Sequence, residues 1–102
     1  MAIDFQRQRA IFPSTTGRAQ NTDLTFVFAS NVRRAESAIN GYSIGFTSSD
    51  HNLFRVQVDT SVTLISLNTV RVRVDYALRD SSGFFDDAYD GFVDVMVIID
   101  RV

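Results

Sequence analysis

Val70-Arg71-Val72-Arg73-Val74-Asp75-Tyr76-Ala77-Leu78-Arg79 alternates without a break. Val70, Val72, Val74, Tyr76 and Leu78 fall on one face, and Arg71, Arg73, Asp75, Ala77 and Arg79 on the other. Successive Cβ atoms of an extended chain point to opposite sides of the pleat, so this stretch reads as a half-buried β-strand. The next apolar run, Gly91-Phe92-Val93-Asp94-Val95-Met96-Val97-Ile98-Ile99-Asp100, is of a different kind. Val93, Val95, Val97 and Ile99 make one apolar face, and Phe92, Met96 and Ile98 make most of the other, the pattern of a strand covered on both sides. A small two-layer sandwich buries only one face of each sheet, so the second face calls for a further cover. Either the N-terminal segment or another copy of the chain can supply it.

Working back toward the N-terminus, Val62 to Leu67 and Leu53 to Asp59 alternate in the same way, with Thr60-Ser61 between them and Leu67-Asn68-Thr69 as a turn. Arg34 to Thr47 is a long alternating run. A helix competes over Asn31 to Ile39, where Ala and Glu favour it, but Gly41 and Gly45 weaken a helix and mark bends in strands. Strand is preferred, with a bulge at Asn40-Gly41. Asp23 to Ser30 is a strand with Leu24, Phe26 and Phe28 on one face. Residues 1 to 22 carry the weakest pattern: Ile3, Phe5, Ile11 and Phe12 suit a short edge strand or a staple onto the sandwich, and Pro13 to Asn21 reads as loop. The expectation is all-β, an antiparallel β-sandwich of six to seven strands forming one domain over 1–102, with 23–102 as its core.

The chain has 102 residues, 45% hydrophobic and 22% charged, which suits a soluble globular domain. It has no cysteine, so no disulfide framework or thiolate site is expected. No signal peptide is visible, and no apolar stretch reaches the roughly 18 to 20 residues that cross a bilayer, so cytoplasmic is the default location. Export or incorporation into a particle remains compatible with that. The net charge is −2, yet all ten basic residues are Arg and eleven of the twelve acids are Asp. Compositional drift accounts for this, as do Arg/Asp pairs in subunit interfaces, where the planar guanidinium is favoured. Basic residues offset by acids form no positive stripe, which disfavours nucleic acid as a partner.

Candidate chemistry lies in two polar turns. Asp80 to Gly91 holds the carboxylates of Asp80, Asp86, Asp87 and Asp90, oxygen donors of the kind calcium takes. Their spacing is not that of the helix-loop-helix calcium loop, and turn capping explains them equally. Phe84, Phe85 and Tyr89 interleave with these acids, and one of the two adjacent Phe is expected at the surface or against a neighbouring subunit. The other turn holds His51, the single histidine, between Asp50 and Asn52. With one Glu, one His, no nucleophile elbow and no phosphate-cradling glycine loop, an enzyme is not expected.

Ala35-Glu36-Ser37-Ala38-Ile39-Asn40-Gly41-Tyr42-Ser43-Ile44, followed by a polar turn and alternating strands through Val70–Leu78 and Val93–Ile99, resembles H-type lectin-like domains over residues 24 to 100. The resemblance implies a six-stranded antiparallel sandwich that trimerises or hexamerises and binds sugar near subunit boundaries. The chain departs from that family in lacking tryptophan and cysteine, and no sugar-binding residue of the family is carried across. Residue types alone nominate Asp50, His51, Arg55, Tyr42 and Tyr89 as glycan contacts. The competing expectation is a structural or assembly subunit of a phage or cell-surface particle, with protein contacts only.

Overall fold

A run of 14 or 15 extended residues at about 3.3 Å per residue spans about 50 Å, and this chain contains four such strands. The computed structural model describes residues 2–16, 19–47, 53–80 and 88–102, excepting the side chains of 15, 16, 53–55, 79 and 80. Its strands are β1 (Ala2–Thr16), β2 (Gln20–Val27), β3 (Val32–Phe46), β4 (Leu53–Ser66), β5 (Thr69–Asp80) and β6 (Ala88–Arg101). They form two three-stranded antiparallel sheets, β1-β6-β3 (sheet A) and β2-β5-β4 (sheet B). The extents of 49 × 18 × 18 Å are those of two narrow ribbons laid face to face.

The two strands that decide the fold lie at the centres of the two sheets. Val70, Val72, Val74, Tyr76 and Leu78 of β5 are buried, and so are Val93, Val95, Val97 and Ile99 of β6. Phe26 and Phe28 join them, with Leu24, Val56, Val58 and Val62 packed at the margin. On the outside of sheet B, Arg71 and Arg73 are exposed and Arg73 Nε pairs with Asp75 Oδ1 at 3.0 Å. Ala77 is the exception on that outward set, being buried.

The Asn40 bulge is present. The β3–β6 register shifts between Ile39 and Gly41, which reverses the parity of the strand. Ala35 packs on the core before the bulge, and Ile44 and Phe46 after it. No helix forms at Asn31 to Ile39. Thr60-Ser61 does not interrupt β4; the strand runs through it and shifts register later, between Val62 and Leu64. The Leu67-Asn68 hairpin holds Leu67 at φ +53°, a conformation that costs a side-chain-bearing residue about 1–2 kcal/mol. Its surroundings fix it there. Val32 N–H donates to the Leu67 carbonyl, Phe28 N–H to the Asn68 carbonyl, and Asn68 Nδ2 to the Phe28 carbonyl.

The N-terminal segment departs most from expectation. It is a full-length strand, and residues 13–16, expected as loop, belong to it. Pro13 sits where the β1–β6 register shifts, between Phe12 and Thr15, the kind of edge position at which a missing N–H is tolerated. The polarity of β1 is also reversed. Ile3, Phe5 and Ile11 face solvent, while Ala10 and Phe12 are buried and Gln6 and Gln8 are half-buried. Gln6 Nε2 donates to the Val27 carbonyl and Gln8 Nε2 to the Thr25 carbonyl, each at 2.6 Å. Two amides thus close the seam between the edge of sheet A and the edge of sheet B. Across the opposite seam, the Ser37 and Thr60 hydroxyls are hydrogen-bonded at 2.9 Å.

Candidate functional site

Chain direction fixes where the expected contacts fall. The strand ends Thr16, Gln20, Phe46, Leu53, Asp80 and Ala88 are gathered at one end of the sandwich by the register. Thr47 pins part of that end: its N–H and its hydroxyl both donate to the Ala88 carbonyl, at 3.0 and 3.2 Å. Asp50, His51, Phe84, Phe85, Asp86 and Asp87 lie outside the described residues, as do the side chains of Arg55 and Asp80. Of the remaining nominated residues, Asp90 is exposed on β6 and Tyr42 is half-exposed on the edge strand β3. Among the described residues, no group of three or more His, Cys, Asp or Glu side chains is placed to hold a metal ion.

Tyr89 is a correction. The sequence reading puts it within the acidic turn from Asp80 to Gly91, but β6 begins at Ala88 and Tyr89 is its first inward residue, with no exposed surface. Its ring packs at 5.4 Å from that of Tyr76, which stacks on Phe12 at 4.2 Å. The Tyr89 hydroxyl donates to the Tyr76 carbonyl at 3.3 Å, and burial pushes its pKa upward. A phenol in that position is a core strut, so it offers no platform to a sugar.

Gly91 makes this aromatic layer possible. Its φ is +153°, and a Cβ there would collide with the Ser43 carbonyl and the Tyr76 hydroxyl. The Tyr76 hydroxyl fills that space, is buried and has no hydrogen-bond partner among the described residues. Burial, reinforced by the Asp90 charge, raises its pKa well above the ordinary phenol value.

The outer face of sheet A is the second surface of interest. Register places Ile3, Phe5, Arg7, Arg9 and Ile11 of β1 opposite Asp100, Ile98, Met96, Asp94 and Phe92 of β6. On the far side, β3 brings Arg34 opposite Asp100, Glu36 opposite Ile98 and Ala38 opposite Met96. One half of this face is apolar. Ile3 is 65% exposed, Phe5 59% and Ile98 38%, and a shallow groove of about 170 Å³ runs among Ile3, Ile98, Arg34, Glu36 and Asp100. Thus β1 does not roof the second apolar face of β6; it lies beside β6 in the same sheet and widens that face.

The next level of the same face is charged. Arg9 Nε and Nη2 donate to Asp94 Oδ1 and Oδ2 at 2.8 and 3.2 Å, and the Arg9 guanidinium lies 3.7 Å above the Phe92 ring. The Arg9 hydrogen bond, with the charges of Arg9 and Arg7, holds the Asp94 carboxyl below its ordinary pKa, and Asp94 in turn raises that of Arg9. Arg7, Gln8, Arg9, Asn40 and Asp94 line a notch of about 220 Å³. Sequence reading passed over this cluster because its members are scattered over three strands. The available signal was Arg7 and Arg9 at a spacing of two in a stretch read only for its apolar residues.

What the fold and these surfaces define is a six-stranded antiparallel sandwich-like domain whose sheet A carries a cluster of exposed apolar side chains on its outer face. No family model, no curated protein and no solved structure matches this chain.

Proposed function

We propose that this chain is a non-enzymatic, carbohydrate-binding module that works as a homo-oligomer, a trimer or hexamer, docked through the outer face of sheet A. The apolar half of that face carries the reading: Ile3, Phe5 and Ile98 stand exposed beside one another on adjacent strands. Exposed apolar patches rimmed by polar residues mark interaction surfaces. The rim here carries both signs, Arg34 and Glu36 on β3 with Asp100 between them and Ile3. A mixed-sign rim is compatible with a copy of itself, whereas a rim of one sign repels its copy. The sugar-binding part draws support from the architecture, which is the one the lectin-like resemblance implies. It also draws on the gathering of the strand ends that flank residues 47–52 and 81–87 at one end of the sandwich. Asp50, His51, Arg55 and Tyr42 remain the proposed contacts, without Tyr89.

The second reading, an assembly subunit with protein contacts only, is favoured by the burial of Tyr89, which takes one of the two nominated aromatics away from any sugar. A glycan array on the intact oligomer separates the two. Binding that disappears in His51→Ala or Asp50→Ala while the oligomer persists supports the carbohydrate module. A blank array together with a stable oligomer supports the assembly subunit.

A further inference from the structure

We infer that the notch formed by Arg7, Arg9, Asn40 and Asp94 on the outer face of sheet A binds an acidic sugar through its carboxylate. The inference deepens the carbohydrate-binding reading and rests on it, adding a second site away from the strand ends. Three features of the notch lead to this ligand. The first is order. Arg9 is held by two hydrogen bonds to Asp94 and by the Phe92 ring beneath it, so its remaining Nη1 and Nη2 donors are fixed in direction before any ligand arrives.

The second feature is charge. Asp94 answers Arg9, while Arg7 makes no ion pair of its own among the described residues. The notch therefore carries one uncompensated positive charge. Arg7 and Arg9 stand two residues apart on one side of β1, about 7 Å along the strand. A planar carboxylate matches a guanidinium fork and a single excess charge. A phosphate dianion would bring a second negative charge against Asp94. A neutral sugar would leave the Arg7 charge unanswered.

The third feature is the polar remainder. Asn40 is the extra residue of the β3 bulge, and opposite Asp94 the strand carries Gly41, which puts no side chain beside the notch. A Cβ at Gly41 would meet Asp94 Oδ2 at 3.9 Å, ordinary contact, so a small side chain fits there and a larger one fills the notch. The Asn40 amide donates and accepts, and the Asp94 carboxylate accepts. Together they suit the hydroxyls that flank a sugar carboxylate. The notch lies one level along the strands from Ile3, Phe5 and Ile98, so a copy docked on the apolar half leaves it at the rim.

The test is a titration of the ¹⁵N-labelled full chain with glucuronate, glucose and acetate at one ionic strength. Glucuronate is expected to shift the amides of residues 7–9, 40 and 94 at a concentration at least tenfold lower than either glucose or acetate. Arg7→Gln is expected to weaken glucuronate about tenfold, which corresponds to about 1.4 kcal/mol. Gly41→Val is expected to abolish the shifts while the dispersion of the rest of the spectrum is kept. Equal response to glucose or to acetate, no response to glucuronate, or an Arg7→Gln variant that binds like the parent overturns the inference. His51-dependent binding on the array, together with no Arg7-dependent response to glucuronate, overturns the inference and leaves the proposed function standing.

Discussion

Tyr76 places a hydroxyl at the centre of the sandwich with nothing to bond to among the described residues, in the space that Gly91 leaves open. A buried hydroxyl without a partner is destabilising, and its removal restores what desolvation cost. Tyr76→Phe is therefore expected to match or exceed the parent by up to about 1 kcal/mol in urea unfolding. Tyr89→Phe is expected to lose about 1 kcal/mol, because the Tyr89 hydroxyl does have a partner, the Tyr76 carbonyl. A parent more stable than Tyr76→Phe by the same margin would show that the hydroxyl is satisfied. Gly91→Ala is expected to be far worse than either, since the added methyl meets a backbone carbonyl that cannot move aside. At Asp94 the prediction concerns pH. Its folded pKa lies below the ordinary 3.8, so the contribution of the Arg9–Asp94 pair is present above that value and is lost as the pH falls below it. NMR titration of the Asp94 carboxyl carbon is expected to give a midpoint below 3.8 that moves back toward 3.8 in Arg9→Gln. An unmoved midpoint would remove Arg9 as the cause.

Among the elements, β5 and β6 were legible because their inward residues keep strict parity over long runs and are nearly all β-branched or aromatic. The same parity reaches back from Val93 through Gly91 to Tyr89. The acids around Tyr89 drew the reading toward a turn, although residues 88–90 already belong to the strand. The N-terminal strand was not legible for a different reason. Its apolar residues at 3, 5 and 11 point outward, Phe12 points inward, and the inward positions 6 and 8 are glutamines. A pattern rule that sends apolar side chains to the core has no purchase on such a strand. What fixes β1 is its pairing along β6 and the two amide bonds to the β2 carbonyls, both long-range. Those amides carry an expected outcome. Gln6→Ala with Gln8→Ala should lower stability by about 1–2 kcal/mol and speed amide exchange in β1. Arg7→Ala, on the same strand but facing out, should do neither. Equal exchange in the double variant and the parent would mean that the seam is held by other contacts. Of the nominated site residues, Asp90, read as part of the turn, stands exposed on β6, and Tyr42 is exposed on β3. The notch at Arg7 escaped because strand pairing, not sequence proximity, assembles it.

At the scale of the whole molecule, the radius of gyration of 15.7 Å exceeds the roughly 13 Å of an ordinary 100-residue domain. Long strands in a narrow sandwich leave much of each side chain near a surface. Sheet B carries Arg71, Arg73 and Asp75 on its central strand, with Val27 and Leu64 exposed on its edge strands. Sheet A presents Ile3, Phe5 and Ile98. The central claim is that a second copy of the chain covers this patch. Light scattering coupled to size exclusion tests it most directly, on the parent and on Phe5→Asp, a change at an exposed position that leaves the buried core intact. The account predicts a parent mass at a multiple of 11.4 kDa that falls to a single chain in Phe5→Asp with the strand spectrum unchanged. A parent that elutes at 11.4 kDa across the concentration range would contradict it.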